Sequence, residues 1–189
     1  MEGEMKVKGE AMLSLPLFIL KKHGKDKYNR WLDTLSPEAR KVYGSPIHKS
    51  DWYSLKEMLA DPTGKMCELF YNCSTRGAWD CGRYSAEYGL KGLYKVLVKL
   101  SSPQVLIKRA TSIIRNYYRP TELEIVENDE GRIVVHITKF PDSDEFIENR
   151  IAGWMQRAVE ITGCKHVSVK ITQSLACHDK CTEYRISYK

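Results

Sequence analysis

Apolar residues recur at helical spacing through the first 118 residues of this 189-residue chain. The run over 8–23 is too rich in apolar side chains for a surface helix, and Gly24 can end it, so we predict a buried helix that is irregular at Pro16. Serine followed by proline at 36–37 and at 102–103 predicts two further helix starts. The pattern therefore indicates a nearly all-helical front.

Between these starts the same spacing predicts helices over 77–89 and 91–100. It also predicts a helix from Leu55 that Asp61-Pro62 interrupts before it resumes at 66–71, because proline disfavours the helical conformation of the residue before it. A short extended segment is expected at 50–54, around Trp52 and Tyr53.

The pattern changes after residue 118. Runs rich in β-forming residues at 123–126 and 132–139 flank a turn at 128–131, which predicts a hairpin. Asp142 with Glu145 predicts a capping box for a long helix that ends at Ile161, and alternating patterns at 166–172 and 182–188 predict two more strands. We predict an α+β fold with a ββαββ tail, in a single domain over 1–189 with a helical part (1–118) and a sheet part (119–189).

Composition narrows the class of protein. With 42% apolar and 29% charged residues, the chain is neither disordered, collagen-like, coiled-coil nor a disulfide scaffold. Its longest apolar stretch, 11–20, is interrupted by Ser14 and Pro16 and is shorter than the roughly 20 residues that cross a bilayer, so we expect no membrane span. The acidic start is unlike a secretory signal, so we expect a cytoplasmic protein with reduced cysteines.

Charge is unevenly distributed, although the net charge of +6 is modest. Seven basic and no acidic residues lie in 88–121, whereas 122–148 holds nine acidic residues. Lys91, Lys95 and Lys99 are four residues apart and would share one helix face. Because no nucleic-acid-binding motif accompanies them, we interpret this face as solvated and expect no nucleic-acid partner.

The order of these elements resembles the heme-NO/oxygen-binding (H-NOX) fold and, more broadly, the 4-vinyl-reductase and TRAPP-type vesicle-tethering folds. The likeness covers nearly the whole chain. The segments that carry it are Met-Leu-Ser-Leu-Pro at 12–16 with His-Gly at 23–24, Arg-Pro at 119–120, Gly-Arg-Ile-Val-Val-His at 131–136, 154–163, and the end of the chain at 173–184.

The same resemblance implies that the heme ligands are missing. A heme-binding member has a proximal histidine on the helix before the hairpin, and the matching position here is Ile107. No histidine occurs over 49–135, and the family's Tyr-x-Ser-x-Arg segment falls on 136–140, which begins with His136 and has no arginine. We therefore expect a heme-less relative that keeps the pocket architecture and has no cofactor.

Aromatic residues on consecutive helices, beside many small residues, predict the pocket walls. The residues proposed for it are Tyr71, Trp79, Arg83, Tyr84, Tyr88, Ile107 and His136. Close helix packing, with small residues where backbones cross, is the alternative interpretation. Arg76, Arg83 and Arg109 are cations that could hold a carboxylate or phosphate in such a site, unless they face solvent.

Four residues near the end of the chain raise the question of a metal. Cys164, Cys177, His178 and Cys181 would supply the four ligands of a zinc site. The spacing between Cys177 and Cys181 is not the usual Cys-x2-Cys, which favours reduced cysteines in a hairpin and no metal.

Three functions follow as hypotheses. The first is a non-enzymatic sensor or signalling module that binds an apolar or amphipathic small molecule, with the helix over 142–161 passing the change to a protein partner. The second is a partner-binding or homodimeric protein, since Trp154 and Met155 cannot both face the sheet. The third is a reductase acting on a tetrapyrrole-like substrate, although no catalytic motif specifies a reacting group.

Overall fold

The computed structural model describes residues 4–90 and 102–189. The helical front consists of β1 (Lys6–Lys8), α1 (Gly9–Met12), α2 (Ser14–His23), α3 (Lys25–Asp33), α4 (Pro37–Tyr43), β2 (Trp52–Ser54), a π-helical turn (Lys56–Ala60), α5 (Asp61–Tyr71), α6 (Arg76–Gly89) and α7 (Pro103–Tyr117). The sheet part consists of β3 (Tyr118–Arg119), β4 (Glu122–Asp129), β5 (Arg132–Lys139), α8 (Glu145–Ile161), β6 (Ser168–Gln173), a 3-10 turn (Leu175–Cys177) and β7 (Thr182–Ser187). The α+β prediction is confirmed.

Two predictions concern residues outside this description. The helix over 91–100 and the face formed by Lys91, Lys95 and Lys99 both lie in the gap between 90 and 102. Within the described ranges, no helix combines the length and the apolar composition needed to cross a membrane.

The two serine caps are confirmed. The Ser36 hydroxyl accepts a hydrogen bond from the Ala39 N–H at 3.2 Å, and the Ser102 hydroxyl accepts one from the Val105 N–H at 3.3 Å. Each contact satisfies an N–H that the helix itself leaves without a partner. The first long helix ends at Gly24, whose φ of +86° suits glycine.

Two predicted helix irregularities are wrong in position. The break in the first helix lies at Leu13, between α1 and α2, and not at Pro16, which lies in the first turn of α2 where a proline is tolerated. Asp61-Pro62 does not interrupt its helix either. The chain passes through the π-helical turn into α5, and Pro62 again lies in a first turn, where its missing N–H costs no hydrogen bond.

The predicted capping box at Asp142 is also wrong. Asp144 caps α8 instead, because its Oδ1 accepts hydrogen bonds from the N–H groups of Phe146 at 2.8 Å and Ile147 at 3.2 Å. Asp142 has a positive φ of 57°, and its Oδ2 accepts the Met5 N–H at 3.4 Å. That long-range contact could not be read from local spacing.

A three-stranded antiparallel sheet, in the order β2-β1-β3, was not predicted. It joins the two ends of the helical front, because Lys6 pairs with Ser54 on one side and Val7 pairs with Tyr118 on the other. The extended segment predicted at 50–54 contains β2. Strands of two or three residues are too short to show alternation, so the pattern predicts no strand at β1 and assigns its last residue, Lys8, to the first helix.

The larger sheet has four antiparallel strands in the order β4-β5-β7-β6. Ile133, Val135 and Ile137 of β5 are buried. Ile186 and Tyr184 of β7, which pair with Ile133 and Val135, are buried as well. Since side chains alternate between the two faces of a strand, these residues define the face that α8 covers. The predicted ββαββ arrangement with a covering helix is therefore observed.

Helices α6 and α8 cross at two glycines. A Cβ atom at Gly82 would overlap the carbonyl of Arg150, and one at Gly153 would overlap the carbonyl of Trp79. No larger residue fits at either position unless the backbones separate. This close crossing holds α8 between the sheet on one side and the helical front on the other.

Candidate functional site

A small internal cavity lies where α6, α7 and α8 meet the start of the chain. Its volume is about 50 Å3, and a neighbouring recess of about 100 Å3 shares Ser85, Ile113, Tyr117 and Trp154 with it. The remaining walls of the inner cavity are Ala11, Ile114, Tyr118, Arg150 and Ile151. The outer recess continues to Glu10, Ser14, Tyr88, Gly89 and Leu90. Most of the described inner walls are apolar, and one of the described residues in them carries a charge.

That charged residue, Arg150, is only 3% exposed. Its Nη2 donates to the carbonyl oxygen of Ala11 at 3.0 Å and to the hydroxyl of Ser14 at 2.7 Å, and its Nη1 donates to the sulfur of Cys81 at 2.9 Å. The Tyr118 hydroxyl is a further hydrogen-bonding partner. All four partners are uncharged groups in their ordinary protonation states.

Burial raises the pKa of the Cys81 thiol, although the Arg150 guanidinium acts in the opposite direction. Burial likewise raises the pKa of Tyr118. Both groups therefore remain neutral near pH 7, whereas a guanidinium is always protonated in proteins. Among the described residues no carboxylate forms an ion pair with Arg150.

A second buried charge lies two residues earlier on α8. Glu148 is 4% exposed and accepts hydrogen bonds at both carboxylate oxygens. Oε1 accepts from Thr182 at 2.6 Å, Ser143 at 3.0 Å and the Ala176 N–H at 3.2 Å, and Oε2 accepts from Ser174 at 2.6 Å. Two of these donors, Ser174 and Ala176, belong to the connection between β6 and β7, and Thr182 is the first residue of β7. Glu148 therefore fastens that connection to α8.

Sequence reasoning missed both residues as candidates, although the pattern carries a signal. Arg150 lies three residues after Ile147 and four before Trp154, which places it in the apolar stripe of α8. Glu148 lies four residues before Ala152, in a second stripe on the same helix. A charged residue in an apolar stripe departs from the helix pattern, and such departures concentrate at functional sites.

Two of the predicted pocket residues on α6 join that helix to α8. The indole N–H of Trp79 donates to the Gln156 side chain at 2.8 Å, and Arg83 makes a bidentate pair with Glu160 at 2.7 and 2.8 Å. The carboxylate that Arg83 holds therefore belongs to the protein itself and not to a ligand. Tyr88, by contrast, does line the outer recess.

The structure does not bring the remaining predicted residues to the cavity. Tyr71, at the end of α5, packs its ring against His23, and Tyr84 of α6 packs against Phe18, so both rings contact α2. Ile107 is fully buried in the main core. Of the other two arginines considered, Arg76 pairs with Asp80 at 3.0 Å and Arg109 is exposed.

His136 lies on the opposite face of the sheet from α8, because its neighbours Val135 and Ile137 face the core. Its Nε2 is 2.7 Å from a carboxylate oxygen of Glu183. Hydrogen bonds from Thr172, Arg185 and His136 lower the pKa of Glu183 to about 2. His136 therefore belongs to a polar cluster on the outer face and not to the cavity.

The four residues considered for zinc do not assemble. Cys177 is exposed at the end of the 3-10 turn, Cys181 is buried beside β7, and Cys164 is 3.5 Å from the Thr162 hydroxyl. Across 4–90 and 102–189, no three His, Cys, Asp or Glu side chains come close enough together to hold a metal ion.

The resemblance to H-NOX proteins raises the question of whether this cavity could hold heme. Pockets for drug-sized ligands measure roughly 300–1,000 Å3, so a cavity of about 50 Å3 is far too small for a porphyrin. Its described lining residues include no His, Cys or Met, so the candidate axial ligands of heme iron among them are limited to the phenols of Tyr117 and Tyr118. The residues at this cavity do not fit a heme.

Comparison with known proteins identifies the architecture. The chain superposes on an H-NOX protein from S. oneidensis in the Fe(II)NO state with a TM-score of 0.72 and 11% identity, over 96% of this chain and 99% of that one. For an unliganded Fe(II) H-NOX protein from K. algicida the TM-score is 0.71 and the identity 10%, over 96% of each chain. No protein-family model matches the sequence, and no curated protein matches it. At this identity the likeness shows the fold alone, and it shows that this chain has the H-NOX fold.

Proposed function

We propose that the protein is a small-molecule-binding sensor module that works without heme. The observation that carries the proposal is the cavity between α7 and α8, which lies inside an H-NOX fold and has mostly apolar walls. Its small volume and the absence of His, Cys and Met from its described lining support a ligand other than heme. An apolar or amphipathic molecule of a few carbon atoms suits those walls.

The position of α8 supports a sensing role. Arg150 and Trp154 of this helix line the cavity, while Glu148 of the same helix holds the connection between β6 and β7. A ligand that shifts α8 would therefore change the hydrogen bonds to a surface segment about 30 residues further along the chain. This gives a physical route from the cavity to a signalling partner.

The dimerisation alternative has less support from the described residues. It rested on Trp154 and Met155 as neighbours that cannot both face the sheet. Trp154 lines the cavity and Met155 is 1% exposed, so neither offers an exposed apolar face.

Ligand binding to the purified chain tests the proposal. We expect millimolar isobutanol or benzyl alcohol to raise the melting temperature in a saturable way, because a ligand that binds only the folded state stabilises it. Ser85→Leu, which fills the cavity wall, should abolish this shift. Ser45→Leu, the same substitution at an exposed turn, should leave it intact.

Two further readouts complete the test. Hydrogen exchange should change at 174–182 when the ligand binds, as the proposed route through Glu148 requires. Added hemin should produce no stoichiometric Soret band. A tight one-to-one heme complex would overturn the heme-free part of the proposal, and the absence of any saturable shift would overturn the binding part.

A further inference from the structure

The unusual feature of the cavity is the charge balance around Arg150. Burying an ionised group is unfavourable unless an opposite charge and hydrogen bonds compensate for its lost hydration. Arg150 has hydrogen bonds, but its partners are a carbonyl, a serine hydroxyl, a thiol and a phenol. The guanidinium therefore places an uncompensated positive charge in the wall of an otherwise mostly apolar cavity.

We propose that the cavity takes a small monocarboxylate, whose carboxylate pairs with Arg150 and whose short apolar tail lies against Ile113 and Trp154. This inference rests on the proposed function and names the class of its ligand. The carboxylate supplies the negative charge that the described residues do not, and its oxygens are stronger acceptors for a guanidinium N–H than the neutral groups now around Arg150.

One existing contact of Arg150 is weak enough for such a ligand to replace it. A thiol is a weak hydrogen-bond acceptor, so the N–H that points at Cys81 gains most from a carboxylate oxygen. The contacts to Ala11 and Ser14 hold the guanidinium in place from the other side. The cation is thus positioned by the protein before any ligand arrives, which reduces the entropy cost of binding.

Size and charge limit the ligand further. An apolar cavity of about 150 Å3 is known to bind benzene, so the inner cavity and the outer recess together suit a tail of three to six carbon atoms. Glu10 lines the outer recess and would repel a second negative charge there. A monoanion with its charge directed inward is therefore favoured over a dicarboxylate or a phosphate.

Matched acids and amides provide the test. Benzoate and benzamide, and isobutyrate and isobutyramide, have nearly the same shape and differ in charge. Ligand-observed NMR titrations of the full chain at constant ionic strength should give at least about tenfold tighter binding for each acid, the size expected of one charge-assisted contact. Arg150→Gln should remove this preference, and Cys81→Ala, which leaves the charge in place, should keep it.

The outcomes separate the two proposals. Equal binding of acid and amide would overturn the carboxylate inference and leave the proposed function standing, whereas binding of neither would overturn both. Competition by nitrate as strong as that by benzoate would show a simple anion site and overturn the role of the apolar tail. If Arg150→Gln does not fold, the acid-to-amide ratio of the unmodified chain decides.

Discussion

Glu148 and Arg150 lie two residues apart on α8, and both are almost fully buried, yet their surroundings differ. Glu148 is surrounded by four donors that satisfy both of its oxygens. Arg150 faces neutral acceptors and a cavity. A buried charge whose hydrogen bonds are all satisfied by the protein itself stabilises the fold. A buried charge that lacks a counter-charge beside an open space has the chemistry of a binding site.

The largest effect on the free energy of unfolding is expected from removing Glu148, whose charge is satisfied by hydrogen bonds. Glu148→Ala would leave the hydroxyls of Ser174 and Thr182 and the Ala176 N–H buried without their acceptor. We expect a loss of about 3 kcal/mol in the free energy of unfolding, measured by urea denaturation. Faster hydrogen exchange at 174–182 should accompany it.

Glu145→Ala is the matched control for this variant, since Glu145 is exposed on the first turn of the same helix. It should change the free energy of unfolding by less than about 0.5 kcal/mol. A comparably small loss in Glu148→Ala would show that its four hydrogen bonds do not stabilise the fold.

An intermediate effect is expected at Glu183, a third acid, whose carboxylate is hydrogen-bonded to Arg185, His136 and Thr172. Because its pKa falls to about 2 in the folded state, the stability it adds is fully present above the unfolded pKa near 4.5 and is lost as the pH falls towards 2. After allowance for solvent screening, we expect a contribution of about 2 kcal/mol.

The measurement is the difference in unfolding free energy between the unmodified chain and Glu183→Gln, followed from pH 7 to pH 2. The difference should be constant above about pH 5 and shrink below it. A difference that does not depend on pH would mean that Glu183 contributes through shape and not through its charge.

The smallest effect is expected from removing the unsatisfied charge. Arg150→Met removes a buried cation that no described carboxylate compensates, and this gain offsets the hydrogen bonds that Ala11 and Ser14 lose. We expect the free energy of unfolding in the absence of ligand to change by less than about 1 kcal/mol, by the same urea assay. A loss of 3 kcal/mol or more would show that Arg150, like Glu148, stabilises the fold. The contrast between a stabilising and a ligand-binding buried charge would then be wrong.

Local signals explain what could be predicted. The serine caps, the Glu130-Gly131 turn and the alternation in β5 and β7 depend on neighbours within a few residues, so the pattern alone identified the α+β class and the ββαββ tail. The face of His136 was equally predictable, because it alternates with the apolar residues Val135 and Ile137. The resemblance to the family instead predicted that His136 faces the pocket.

The rest needed the tertiary structure, because it depends on which residues distant in sequence meet. Asp142 and Asp144 compete for the same helix start, and only the contact between Asp142 and Met5 decides between them. The place of the cavity depends on how closely α6 and α8 cross at Gly82 and Gly153. The sequence by itself determined the elements and the family resemblance through local periodicity. The fold alone decided that Arg150, and not the predicted aromatic cluster, supplies the charge at the cavity.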